Sequence, residues 1–215
     1  MAELSHDTAD QPKPTLDDRC IAAGLTLSAE CAWARISLVD VAEAAGAPPS
    51  QAYAAFGSTV DLAAGIWLRL DAAAVDSAAQ ALDPALTARE RAFEAAMARF
   101  DLMEETRPAY ASLLRFARRS TVDRARRLRA LARPARWLLD AAQIGREGGP
   151  SRLGAAVFAG VLHRAEAAWL EDEDGAQSRT LARLDRDLAD LETFGGQLRR
   201  VGARFGRRAA ANDRG

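Results

Sequence analysis

One signal recurs along this chain and limits what it can fold into. A Ser or Thr is followed three residues later by Asp or Glu, just ahead of residues with helical apolar spacing. It occurs at Thr15/Asp18, Ser37/Asp40, Ser58/Asp61 and Thr87/Glu90. In such a box the hydroxyl accepts from the backbone N–H three residues on, and the acid accepts from the cap's own N–H. Two of the orphan donors at a helix start are thereby satisfied locally. Behind three of the boxes apolar residues return every three or four positions. The stripes are Leu16, Cys20, Ala23, Leu27; Val60, Ala63, Trp67, Leu70, Ala74; and Phe93, Met97, Phe100, Met103. No segment shows a convincing period of two, so the expected fold class is all-α with no sheet.

The breakers set the boundaries. The first helix is expected from Leu16 to about Trp33, and a short second helix from the Ser37 cap through Ala44, stopped by Gly46. Pro49 suits the first turn of a third short helix, which Gly57 ends at Phe56. Ser58 opens a long fourth helix. Further on, Pro108 is expected to interrupt, Ala109 to Ala132 to be helical with a break near Ser120-Thr121, and Pro134 to open a helix holding Trp137, Leu138 and Ile144. Gly148-Gly149-Pro150 reads as a loop, Ser151 to Leu170 as an apolar helix, and Glu171 to Gly175 as an acidic turn. In the last helix Leu181, Leu184, Leu188 and Leu191 alternate spacings of three and four, a register continued by Gly195, Leu198, Gly202 and Phe205. A seam that narrow suits packing against another helix. The organisation expected is a tail over 1–14, a head over 15–62, a body over 63–206 and a second tail over 207–215.

Composition excludes several classes. Apolar residues make up 49% and charged residues 27% of the 215, an ordinary globular profile. No apolar run approaches the roughly 20 residues of a membrane helix, and the start lacks a secretory pattern. A soluble, cytoplasmic protein without stable membrane insertion is expected. Cys20 and Cys31 are the two cysteines. On one helix they would lie about 16 Å apart along the axis, too far for a disulfide, and both read as small buried residues. His6 and His163 have no partners at metal-ligand spacing. There is no Gly-rich phosphate loop, nucleophile elbow or paired-histidine metal helix, so neither an enzyme nor a cofactor is expected.

Residues 20–67, CIAAGLTLSAECAWARISLVDVAEAAGAPPSQAYAAFGSTVDLAAGIW, resemble the DNA-binding head of the TetR family. The likeness rests on the small, apolar first helix, Ser37 before the second, and the turn around Ala45-Gly46. It rests too on the paired aromatics Tyr53 and Phe56, and on Ser58 opening the fourth helix. It implies a helix-turn-helix braced by Val39, Val41, Ala42, Ala52 and Phe56, a helical dimerisation and ligand-binding body, and double-stranded DNA as partner. The DNA contacts it implies are Ser37, Ser50, Gln51, Tyr53 and Ser58, with Gln51 the best base reader because its amide can pair with adenine. Family members usually have Lys where Thr59 stands, Gly where Ser50 stands, and Ser or Thr where Pro48 stands.

The resemblance further implies a homodimer, expected to meet through Val161, Leu184, Leu188, Leu191 and Leu198. A small hydrophobic ligand is expected against Met97, Phe100, Met103, Trp137, Phe158 and Trp169. Residues 165–192 are also similar to the helical lipid-binding proteins of coenzyme Q biosynthesis, which share the scaffold without reading DNA. Charge bears on that alternative. Residues 1–70 hold 4 basic and 9 acidic side chains, net −5, whereas the rest of the chain holds 25 and 21, net +4. Nine arginines fall within residues 115–136, and Arg199, Arg200, Arg204, Arg207 and Arg208 give the C-terminal segment a basic face.

Overall fold

The computed structural model describes residues 14–145, 151–172 and 175–193, and every regular element among them is helical. In order they are α1 (Leu16–Glu30), a single 3-10 turn (Trp33–Arg35), α2 (Leu38–Ala44), α3 (Pro49–Phe56), α4 (Thr59–Gln80) and α5 (Ala88–Glu105). Then follow α6 (Arg107–Ala117), α7 (Thr121–Ala130), α8 (Ala132–Ala141), α9 (Arg152–Glu171) and α10, residues 178–193. The expected loop at 148–150, the two tails except Pro14, Gly195, Leu198, Gly202, Phe205 and the basic run 199–208 lie outside the described residues.

The caps behave as their chemistry requires. Thr15, Ser37 and Thr87 each form both halves of the box. Ser58 accepts from the Asp61 N–H at 3.2 Å and donates its hydroxyl to the Asp61 carboxylate at 2.5 Å. Gly46 and Gly57 sit at φ +61° and +65°, conformations open to glycine but strained for most side chains.

Several ends differ from expectation. α1 stops at Glu30 rather than near Trp33, because Cys31 is extended and Trp33 turns inward to 1% exposure. Cys31 therefore ends up exposed, and only Cys20 is buried. The interruption expected at Pro108 falls two residues earlier, at Thr106 between α5 and α6, and Pro108 is the second residue of α6, where its missing N–H has no bond to lose. Pro134 lies inside the first turn of α8, which begins at Ala132. Val60 faces solvent at 58% exposure, while Ala63, Trp67, Leu70 and Ala74 of its stripe are buried.

One core runs from head to body. Trp33, Leu38, Val41, Leu62 and Ile66 continue into Leu70, Phe100, Met103, Leu113, Leu138, Leu162 and Trp169. α4 starts in the head and packs on α5 and α8 in the body, α1 packs on α6, and α8 on α9. The leucine seam belongs to this core. Leu184 and Val161 are fully buried and Leu188 is 5% exposed within the single chain, and Leu191 packs against them. The dimer contacts expected at these positions are thus internal. Spacing of three and four suits a helix's own core as well as a partner's, and ion pairs dock α10 inward. Arg89 of α5 meets Asp185 at 2.5 Å, and Arg164 of α9 meets Asp187 at 2.7 Å.

Candidate nucleic-acid interface and ligand cavity

α2 and α3 are held at a fixed angle by a small set of buried side chains. Leu38, Val41, Ala42 and Ala52 are each at most 2% exposed, and Phe56 packs partly beneath them. Val39, expected in this brace, is 46% exposed; Leu38 takes its place. From α1, Arg19 reaches the turn and donates to the Ala45 carbonyl at 2.8 Å. That contact satisfies an end of α2 and fixes the turn.

Such bracing leaves one side of α3 open. Ser50, Gln51 and Tyr53 share its exposed surface, and no hydrogen bond ties the Gln51 or Tyr53 side chain. Ser37 and Ser58 are half-buried at the starts of α2 and α4, their hydroxyls already engaged with Asp40 and Asp61. All five residues expected at DNA therefore lie on the head, but they divide into three free side chains and two caps.

The head is electrostatically spare. α2 and α3 contain no Lys or Arg. Arg19 is committed to the turn and Arg69 is paired with Asp18, whose carboxyl is lowered to about 2 by hydrogen bonds from Thr15 and from Arg69. Arg35, exposed beside Ser37, is the one described head cation without such a commitment.

Beneath the head lies a network absent from the sequence expectations. Arg99 of α5 is fully buried and donates through Nε to Asp71 of α4 at 2.8 Å. Its Nη2 lies 3.1 Å from Glu166 Oε1 on α9, close enough for an ion pair but misaligned for a hydrogen bond. Arg127 of α7 forks onto the same carboxylate and stacks 3.8 Å above the Trp67 ring. Burial pulls the Glu166 carboxyl upward, but Arg127 and Arg99 outweigh it and hold it below the usual range. Tyr110, tilted against Trp67 at 5.4 Å, is pushed up to about 12 by burial. No local signal in the sequence marked it: Asp71, Arg99 and Glu166 each sit next to an inward apolar residue, a position that on a helix usually faces elsewhere.

A cavity of about 240 Å³ opens between α4, α6, α7 and α8 directly over this network. Trp67, Asp71 and Arg127 line it together with Val60, Ala63, Leu68, Leu113, Phe116 and Pro134, and Arg119, Asp123, Arg126 and Arg133 complete the lining. The ligand residues expected from sequence are not gathered there. Met97, Phe100, Met103 and Trp169 are packed in the core, Trp137 is half-buried under Arg133, and Phe158 lines a different cavity formed by α5, α8, α9 and α10. Two of them hold polar groups instead: Met103 Sδ accepts from Arg99 of the network, and the Trp169 indole donates to Glu104, the partner of Arg107.

No family model matches the chain, and no curated protein matches its sequence. Solved structures do match its shape. A TetR transcriptional regulator from Rhodococcus sp. RHA1 superposes with a TM-score of 0.57 at 16% identity, over 84% of this chain and 99% of that one. A TetR-family regulator from Streptomyces coelicolor gives 0.55 at 19% identity, over 87% and 88%. A further one from Rhodococcus sp. gives 0.54 at 20%, over 80% and 98%. The fold is that of the TetR-family regulators. The expected head comprises α1–α3 with the start of α4, and α4 continues from it into the expected body.

Proposed function

We propose that this protein is a ligand-responsive transcriptional regulator that binds duplex DNA as a homodimer, with α3 in the major groove. The observation carrying this reading is the outward presentation of Ser50, Gln51 and Tyr53 on a short helix braced by Leu38, Val41 and Ala52. A recognition helix needs that combination of exposure and fixed angle. Gln51 reads a base edge, Tyr53 and the α2 start at Ser37 position the backbone, and the Ser58 cap holds the start of α4 beside it.

Two copies place their recognition helices about 34 Å apart, one duplex turn. With Val161, Leu184 and Leu188 internal, the contact surface we assign is the exposed face of α9, where Leu153 is 74% and Val157 36% exposed. The ligand occupies the cavity between α4, α6, α7 and α8. Its apolar walls and the arginines 119, 126 and 133 at its edge suit a hydrophobic molecule with an anionic end. Filling it presses on α4, which reaches directly into the head.

The test is an electrophoretic shift assay with the gene's own upstream DNA, comparing the wild type with Gln51→Ala and Tyr53→Ala. We expect specific binding at low salt that each substitution weakens about tenfold, the order of one good base or phosphate contact. Absence of binding at low salt passes the lead to a lipid carrier on the same scaffold. Mass spectrometry of co-purified lipid would then identify its cargo.

A further inference from the structure

We propose that a second cavity, at the joint between head and body, is an effector site for a small aromatic carboxylate. It has a volume of about 490 Å³ and lies between the end of α1, the Trp33 turn and α6. That volume matches sites that enclose small organic ligands. Its walls are largely apolar, with Phe116 and Pro108 from α6 facing the alanines of the 29–34 segment.

Two nitrogen donors in this lining are unspent. Trp33 forms one wall at 1% exposure, and its indole N–H, closed off from solvent, meets no acceptor. An indole nitrogen can only donate, and a buried donor left unpaired is costly. Arg115 lines the same cavity with an exposed guanidinium that forms no ion pair among the described residues. The neighbouring Arg119 is already held by Asp123 at 3.0 Å and stacked on Phe116. Glu30 is the one carboxylate in the lining. A ligand oxygen admitted beside Trp33 supplies the missing acceptor, its second oxygen pairs with Arg115, and its ring lies among Phe116 and Pro108.

The location gives such a ligand an effect. Ser112 of α6 accepts from the Trp33 backbone N–H at 2.8 Å and donates to the Cys31 carbonyl at 3.1 Å. One hydroxyl from the body thus holds the segment that joins α1 to α2, and it lines this cavity. A molecule bound there touches both sides of the joint and biases the angle at which the head is held. The cavity between α4, α6, α7 and α8 adjoins this one and shares Phe116 and Arg119 with it.

Cys31 provides the readout, being exposed in the lining whereas Cys20 is fully buried. Alkylation by iodoacetamide, followed by intact mass, should label Cys31 alone. Saturating 2-naphthoate should slow that labelling at least tenfold, while 2-naphthamide and 2-naphthylmethylammonium should not. Arg115→Ala and Trp33→Phe should each weaken the protection of Cys31 by naphthoate about tenfold, and Arg136→Ala, outside the lining of both cavities, should leave it unchanged. Should Trp33→Phe fail to fold, the exposed Arg115 decides alone. The proposal is overturned if naphthoate does not bind, if it binds without shielding Cys31, or if the amide or the cation binds as well. No arm involves DNA, so failure here leaves the regulator reading standing.

Discussion

Raising the salt concentration should weaken operator binding by this protein far less than it weakens binding by a typical repressor. Each phosphate neutralised by a cation releases counterions, and the affinity falls with a log–log slope of about −0.9 per phosphate. In the head Arg19 and Arg69 are spent on the turn and on Asp18, leaving Arg35. A dimer then contributes two cations and a slope of about −1.8, or roughly a twelvefold loss between 50 and 200 mM salt. A protein with six to ten phosphate contacts loses about 10³- to 10⁵-fold over that range. Thr59→Lys places an ammonium in the first turn of α4, beside Ser58, and should tighten binding while steepening the slope by about 1.8. Fluorescence anisotropy with a labelled upstream fragment at five salt concentrations measures both. Lys13, ahead of the described residues, adds at most two cations to the dimer. A wild-type slope steeper than about −5 would therefore refute the argument, and would mean that arginines of the body such as Arg124, Arg126 and Arg129 also reach the duplex.

Glu166→Gln leaves two buried guanidinium groups without their full counter-charge and should cost about 3–5 kcal/mol in urea unfolding; a loss below 1 kcal/mol would show that the network is relaxed. The carboxyls of Glu166 and Asp172 are held below their ordinary values, the former by Arg127 and Arg99 against the pull of burial, the latter by Thr180 and the Arg179 amide against the same pull. Their contribution is complete above the ordinary carboxylate range and is lost as pH falls from there through the folded values. Melting temperature should thus drop below about pH 4.5, with a shallower drop in Glu166→Gln; an unchanged profile in that variant would contradict the assignment. Leu188→Asp buries a charge in the single chain and should lower stability by about 3 kcal/mol or more. Leu153→Asp should instead dissociate the dimer with little change in monomer stability. Light scattering beside thermal melts separates the two, and a dimer that persists in Leu153→Asp would place the contact elsewhere.

Helix starts were legible because they are local. A hydroxyl and an acid three residues apart satisfy their own backbone donors, so Ser37, Ser58 and Thr87 each open the helix expected of them. The turn at Gly46 and the stop at Gly57 follow from backbone conformation alone. Where α1 ends was not legible, since the partner that holds Trp33 and Cys31 is Ser112, some eighty residues on. Distance in sequence also hid the buried charges. Arg99 next to Phe100 looks like a solvated neighbour until Asp71 and Glu166 are brought to it from other helices. The leucines of α10 announced a packed face correctly, but spacing cannot say whose helix covers it. The expected ligand residues are not gathered around one cavity for a related reason: large apolar side chains at helical spacing fill a core more readily than they line a hollow.

Asp71, Arg99, Arg127 and Glu166 come from α4, α5, α7 and α9, and together they index the heights of those four helices. Sliding any one by a single turn, about 5.4 Å, would part it from its counter-charge in a dry interior. Tilts and small rotations about the shared carboxylate leave the pairs intact. The network therefore permits a pivot but resists a ratchet among these four helices.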